Sequence, residues 1–304
     1  MALTEYKPGQ AFPGVIGRTF DVSKPAWPAP NRAKVGAANV LLIVLDDTGF
    51  GHVGCYGSPI STPNLNALAA DGLRYNNMHT TALCSPSRSC MLTGRNHHSN
   101  GVSCITEGST GYPGGDGYIP FENGMLSEIL QQNGYNTYAL GKWHLTPSEQ
   151  TSAAGPYDRW PLGRGFERYY GFLGGDTHQY YPELVRDNSQ TEPDKTPEEG
   201  YHLTPDLVAK AKAMIADSKQ VAPNKPFSCT SAPVPCMHRI TFPGSGPTNT
   251  RASSTPAGMR TANGCSRSNN SWASCQRMRN YHGTTLMFRT GTSCQRMSGG
   301  STRG

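Results

Sequence analysis

The stretch NVLLIVLDDTGFG, residues 39–51, constrains the fold more than any other part of the sequence. Its apolar run from Val40 to Leu45 shows no alternation, which is typical of a strand buried on both faces of a parallel sheet. Two aspartates and a glycine-containing turn follow, and ligands bind at this edge in open α/β sheets. The stretch therefore predicts an α/β domain with Asp46 and Asp47 at its binding edge.

Helix and strand patterns alternate after this strand, as an α/β sheet requires. A helix is predicted to begin at Pro63 behind a Ser61 or Thr62 cap and to stop at Gly72, because proline suits the first helical position. The later predictions are a strand over 73–81, a helix ending near Gly94, a helix and then a strand within 121–145, and a helix over 203–219. Residues 1–38, rich in Pro and Gly, are predicted to form an extended arm.

The charged residues are distributed unevenly along the chain. Residues 228–304 contain nine arginines and no Asp, Glu or Lys, so the net charge of +6 arises in this segment. The nine cysteines have no metal-finger spacing, and their odd number argues against a closed disulfide framework. No signal-peptide pattern and no apolar run of membrane-spanning length is present, so we expect a cytoplasmic protein that does not bind membranes.

Three groups of residues are candidates for chemistry. Asp46 and Asp47 are hard oxygen ligands for Ca²⁺ or Mg²⁺, or else part of a turn or a helix cap. Lys142 and His144, two residues apart on a predicted strand, would face one way and clamp an anion, or form a solvated face.

The third group is the pair Cys84 and Arg88, one helical turn apart. Taken alone, this pair is compatible with a buried thiol beside a surface charge, or with a phosphatase-like thiolate site. Read as one string, residues 84–94 resemble the type I sulfatase signature C-x-P-S-R-x-x-x-L-T-G at every fixed position. The opening strand, the later string GKWHL and residues 165–188 also resemble this family, in the expected order.

The resemblance implies a formylglycine-dependent hydrolase of sulfate esters. A separate formylglycine-generating enzyme would oxidise Cys84 to formylglycine, whose hydrated form attacks sulfur with one hydroxyl and expels sulfate with the other. Asp46, Asp47 and the converted Cys84 would bind the metal, which we expect to be Ca²⁺, with Mg²⁺ as the alternative. Arg88 would hold the diol oxygen.

Substrate contacts are implied in the same way. Lys142 and His144 would bind sulfate oxygens and the leaving group, and both are expected to be catalytic together with Cys84 and Arg88. His97 and His98 follow the signature closely and are expected to line the pocket. The expected substrate is a small-molecule sulfate ester of the arylsulfatase type, and no nucleic-acid partner is expected.

The implied fold is alkaline-phosphatase-like, with a mixed, mostly parallel sheet between helices. We expect residues 39–227 to form the N-terminal part of the catalytic domain. After Phe227 the family's later histidine, metal pair and lysine are not found, and the sequence loses helical and strand periodicity. Residues 228–304 are therefore predicted to lack native structure, either as a basic disordered tail or through a reading-frame error.

The reading-frame hypothesis can be examined codon by codon. Restoring one base after Phe227 permits residues 228–243 to read F-L-Y-F-G-P-G-A-M-H-A-P-H-H-V-P, a strand and a histidine-rich loop. Methionine has the single codon ATG, so the last base of the Met237 codon is fixed. It forces the next residue of the reread sequence to be Ala. The chain as written would then be truncated and inactive.

Two other functions stay open: a formylglycine-dependent phosphonate or phosphate ester hydrolase, and a non-enzymatic binding protein with a basic tail.

Overall fold

A computed structural model of the chain describes residues 9–28, 31–233 and 284–285. The described residues fall into two compact units. The first contains 9–28, 31–47 and 81–233, and the second contains 48–80 with the short strand β7, Thr284–Thr285. Most of the segment predicted to lack native structure, including the reread histidine loop, lies outside the described residues.

The first unit is built on a mixed sheet. Its strands are β1 (Val40–Leu45), β2 (Asn136–Lys142), β3 (Arg168–Phe172), β4 (Leu184–Arg186), β5 (Ser189–Thr191) and β6 (Phe227–Ala232), arranged in the order β5-β4-β3-β2-β6-β1. The pairs β1–β6, β6–β2 and β2–β3 are parallel, whereas β4 and β5 add an antiparallel hairpin. The predicted mixed, mostly parallel sheet is confirmed.

Helices pack on both faces of this sheet. Since neighbouring residues of a strand point to opposite sides, one strand contributes side chains to two separate cores. Tyr138 and Leu140 of β2 pack with helix α4 (Leu203–Val221) through its buried Leu207. Ala139, between them, belongs to a second core on the opposite face, which also receives Leu92 of α2 (Cys84–Thr93). Helix α3 (Leu126–Gln132) contacts β2 as well.

Several predicted elements are confirmed by the structure. In the second unit, α1 (Pro63–Asp71) begins after Thr62 and ends at Gly72. The helix-and-strand prediction for 121–145 corresponds to α3 and β2, and the prediction for 203–219 corresponds to α4.

The predicted strand over 73–81 is wrong, because no strand forms there. The segment instead bonds to residues 55 and 56: the Arg74 side chain donates to the carbonyl of Cys55, and the Tyr56 hydroxyl donates to the carbonyl of Tyr75. The second bond occupies a backbone acceptor that a sheet ladder would need.

Strand β1 differs from its prediction in burial. Val44 is buried, but Val40, Leu41 and Ile43 are 37%, 57% and 41% exposed, so this strand is not covered on both faces. The reason lies in the helix positions, because α4 packs on β2, β3 and β6.

Strand β6 crosses the predicted boundary at residue 227. Residues 228–232, SCTSA, pair in register with both β1 and β2, and Ser228, Cys229 and Ala232 are buried. Central strands of parallel sheets are usually continuous runs of Val, Ile and Leu. This strand instead presents small and polar side chains between two neighbouring strands.

Arg164 joins helix α3 to the loop that precedes it. It is 1% exposed, its Nε lies 2.8 Å from Oε1 of Glu128, and its Nη atoms donate to the carbonyls of Ile119 and Asn123. Arg168 forms a contrasting pair with Asp187 at 3.9 Å, with both side chains more than a third exposed.

We expect Arg164→Met to lower the free energy of unfolding by about 3 kcal/mol, because it strands a carboxylate and two buried carbonyls. Arg168→Met, the matched control, should cost less than about 1 kcal/mol because its pair is solvent-screened. Urea denaturation of both variants measures the difference, and equal losses would contradict this account of Arg164.

Candidate functional site

The signature segment forms a helix from its first residue. Helix α2 begins at Cys84, and Pro86 fits in its first turn because backbone N–H groups there need no helical partner. The helix ends where Gly94 adopts φ +67° and its N–H donates to the carbonyl of Cys90. Cys84 is a partly buried free thiol, and Arg88 lies one turn later on the same helix, 5% exposed.

Asp46 is the point at which three elements meet. Its Oδ1 lies 3.2 Å from Nη2 of Arg88, and its Oδ2 lies 2.6 Å from Nζ of Lys142. Arg88 Nη1 also donates to the backbone carbonyl of Lys142 at 2.7 Å. The end of β1, helix α2 and the end of β2 are thus joined by one buried carboxylate and two cations.

Charge compensation controls the protonation state of Asp46. Burial by itself would raise the pKa of this carboxyl, but the charges of Arg88 and Lys142 and their hydrogen bonds outweigh it. The net effect holds the pKa of Asp46 below its usual value. The group is therefore a carboxylate at neutral pH.

His144 lies beside this cluster and forms a hydrogen bond of its own. It is 2% exposed, its backbone φ is +55°, and its Nε2 lies 2.7 Å from Oε2 of Glu107. Burial, together with the charges of Lys142 and Arg88, lowers the pKa of His144, although Glu107 opposes that shift. The ring is therefore neutral near pH 7.

Two buried nitrogen atoms in this region have no hydrogen-bond partner within the described part of the chain: Nε of Arg88 and Nδ1 of His144. Buried polar groups are nearly always satisfied in native proteins, so unpaired groups at a charged cluster indicate a place for a ligand. One of them is a donor on a permanent cation. A sulfate or phosphate oxygen matches that chemistry.

The predicted site residues are brought together only in part. Asp46, Arg88 and Lys142 are in direct contact, whereas Asp47 is exposed with φ +50°. The prediction that Lys142 and His144 share a strand face does not apply, because β2 ends at Lys142.

His97 and His98 lie in a short 3-10 helix, His97–Asn100, with ring centroids 4.2 Å apart. Among the described residues neither ring hydrogen-bonds to the Asp46 cluster, and their role in lining a pocket stays a prediction.

Glu107 was not predicted from the sequence. It lies in a 3-10 turn, Thr106–Gly108, within a stretch rich in Gly, Ser and Thr, where a single acidic residue carries no motif. Only its distance to His144 identifies it.

The described residues do not by themselves fit a divalent metal. Asp46 and Asp47 offer the hard oxygen donors that Ca²⁺ prefers, but Ca²⁺ takes six to eight oxygen ligands. Both oxygens of Asp46 already contact cationic side chains. No group of three or more His, Cys, Asp and Glu side chains converges in the described ranges.

The family comparison agrees with the signature. The sulfatase family model matches residues 38–286, which is most of the chain. The chain belongs to the sulfatase family. Proteins of this family generally use formylglycine and a divalent metal.

Curated sulfatases are similar to part of the chain. An uncharacterized sulfatase of Schizosaccharomyces pombe is 40% identical over 160 residues, which cover 49% of this chain and 27% of that protein. Human arylsulfatase D is 37% identical over 149 residues, covering 47% of this chain and 24% of that protein. Human arylsulfatase A is 39% identical over 140 residues, covering 44% and 25%. The chain spans about a quarter of the length of these relatives.

Solved structures support the fold. The crystal structure of Ps i-CgsB superimposes with a TM-score of 0.55 at 28% identity, covering 68% of this chain and 47% of that one. The structure of the protein yidJ from Bacteroides fragilis gives a TM-score of 0.53 at 23% identity, covering 67% of this chain and 45% of that one. The alkaline-phosphatase-like sulfatase fold predicted from the signature is confirmed.

A substitution at Gly175 tests the position of the His144 ring. A methyl group on Gly175 would lie 2.9 Å from Cε1 and 3.0 Å from Nε2 of His144, whereas one on Gly174 would meet only a carbonyl oxygen at 3.9 Å. Neither glycine has a left-handed φ. We expect Gly175→Ala to cost about 1–3 kcal/mol of unfolding free energy through overpacking. Gly174→Ala should stay within about 1 kcal/mol of the wild type. Urea denaturation compares them, and equal stability of the two variants would show that the ring does not lie against Gly175.

Proposed function

We propose that the chain derives from a sulfuric ester hydrolase of the arylsulfatase type, acting through a formylglycine made from Cys84. The observation that carries the proposal is the complete signature on α2 beside a buried cluster of Asp46, Arg88 and Lys142. Formylglycine, when hydrated, supplies one hydroxyl to attack sulfur and a second to release sulfate. The substrate would be a small-molecule sulfate ester.

The residues of this chain have distinct parts in the proposal. Arg88, with its unpaired Nε, would hold an oxygen of the diol or the sulfate, and Lys142 would stabilise charge on the leaving oxygen. His144, neutral near pH 7 with an unprotonated ring nitrogen, would accept a proton from a reacting hydroxyl. His97 and His98 would line the pocket.

Two further parts of the proposal rest on the resemblance to the family. Calcium would be held by Asp46, Asp47 and the converted Cys84, with the remaining ligands supplied by the base-restored sequence, and no step above depends on it. A formylglycine-generating enzyme would be the maturation partner. A cytoplasmic location stays a prediction from the sequence. The described residues contain no helix long and apolar enough to cross a membrane.

We also propose that residues 228–304 arise from a reading-frame error and that the chain as written is inactive. Two observations support the error: the small and polar side chains of β6, which is paired on both sides, and the exposed apolar residues of β1. The reread sequence F-L-Y-F-G for 228–232 would supply the apolar run that a central strand usually has. The family match extends into this segment, to residue 286, so the gene sequence must decide.

The first test determines the reading frame and its consequence. Sequencing across codons 225–232 should reveal a missing base. The chain as written and the base-restored protein are then produced with a formylglycine-generating enzyme and assayed on an aryl sulfate. We expect activity only from the restored protein. An intact frame in the gene, or equal activity of the two proteins, would contradict the proposal.

The second test concerns the nucleophile and uses a cysteine on the same helix as its control. In the base-restored protein, Cys84→Ala should abolish hydrolysis of an aryl sulfate, while Cys90→Ala, also partly buried on α2, should keep most of it. Rates on an aryl phosphodiester are measured in parallel. Faster phosphodiester hydrolysis would assign the protein to phosphate ester chemistry instead.

A further inference from the structure

Glu107 and His144 form a hydrogen-bonded pair next to the proposed site. Oε2 of Glu107 lies 2.7 Å from Nε2 of His144 and 3.2 Å from Oγ1 of Thr106. The His144 side chain is 2% exposed, whereas that of Glu107 is 47% exposed. The pair therefore connects a buried ring to a carboxylate that reaches solvent.

The contact decides which ring nitrogen of His144 carries the proton. Burial by itself would raise the pKa of Glu107, but the hydrogen bond from His144 and its other contacts lower it, so Glu107 is ionised near pH 7. An ionised carboxylate only accepts hydrogen bonds. Nε2 of the neutral ring must therefore carry the hydrogen, and Nδ1 is left with a lone pair.

The surroundings fix the orientation of the ring. The His144 backbone has φ +55° and its N–H donates to the carbonyl of Leu173 at 3.0 Å, which secures the backbone. The ring occupies the space that a Cβ on residue 175 would take, so the glycine allows the ring to lie in this position. The charged groups that act on the ring are Glu107, Lys142 and Arg88. Nδ1 is buried and has no hydrogen-bond partner within the described residues.

We infer that Glu107 is a positioning residue for His144, which holds the Nε2–H tautomer so that Nδ1 is available as the acceptor for a reacting hydroxyl. The inference rests on the proposed function for the identity of that hydroxyl. The tautomer and the contact themselves do not depend on it. Partners of this kind orient histidine rings at many functional sites.

The test reads the tautomer directly in the full chain, by NMR of the ring nitrogens after ¹⁵N labelling of histidine. His144→Gln assigns the signals. In the wild type we expect Nε2 protonated and Nδ1 unprotonated. Glu107→Ala should give a mixture of tautomers and lower the pKa of His144 by about one unit, because a stabilising negative charge is lost.

Two variants control for structural damage. Glu107→Gln keeps an acceptor oxygen without the charge, so the Nε2–H tautomer should persist while the pKa of His144 still falls. Glu149→Gln alters a carboxylate that contacts Tyr118 instead, and should change neither signal. An unchanged tautomer and pKa in Glu107→Ala, or an Nδ1–H tautomer in the wild type, would overturn the inference.

Activity of the base-restored protein separates the inference from the proposed function. Glu107→Ala should lower kcat about 10- to 100-fold with a small change in KM, the range seen when the partner of a metal-binding histidine is removed. If no variant hydrolyses sulfate esters but the tautomer changes as expected, the proposed function fails and the positioning role stands. If hydrolysis is unaffected by Glu107→Ala, the positioning role fails.

Discussion

The buried carboxylate of Asp46 is the contact on which the arrangement of the site depends. It lies between Arg88 and Lys142, which come from a helix and a strand far apart in the sequence. An unpaired charge at this depth would be costly, and the pairing removes that cost only when β1, α2 and β2 are all in place. The parallel β1–β6–β2 arrangement makes this possible, because it brings the carboxyl ends of β1 and β2 to one edge of the sheet.

Two kinds of functional group lie side by side at this edge: a charged cluster and a neutral histidine ring. The Asp46 cluster combines two cations with one carboxylate, and its net positive charge is what the proposed binding of a sulfate group requires. His144 is kept neutral by burial and by those same cations, and Glu107 prevents its pKa from falling further. A permanent cationic cluster beside a neutral ring allows one site to bind an anion and to accept a proton near pH 7.

The middle of the sheet shows a conflict between local sequence and position. The SCTSA segment of β6 pairs on both sides, yet it supplies little of the apolar area that such a strand usually buries. Strand β1 next to it leaves Leu41 and Ile43 exposed. Local and global features normally agree in a natural protein, and the disagreement in β6 begins directly after Phe227, as the proposed change of reading frame would produce.

The sequence by itself determined the family, the α/β class and helices α1, α3 and α4, because the signature and the apolar periodicities are local patterns. It also identified Asp46, Arg88 and Lys142, although not the bonds between them. Only the tertiary structure decided that 73–81 is not a strand and that His144 lies beyond the end of β2. It alone brought Glu107 to Nε2 of His144, because that contact joins residues 37 positions apart whose side chains meet only after the loops have packed.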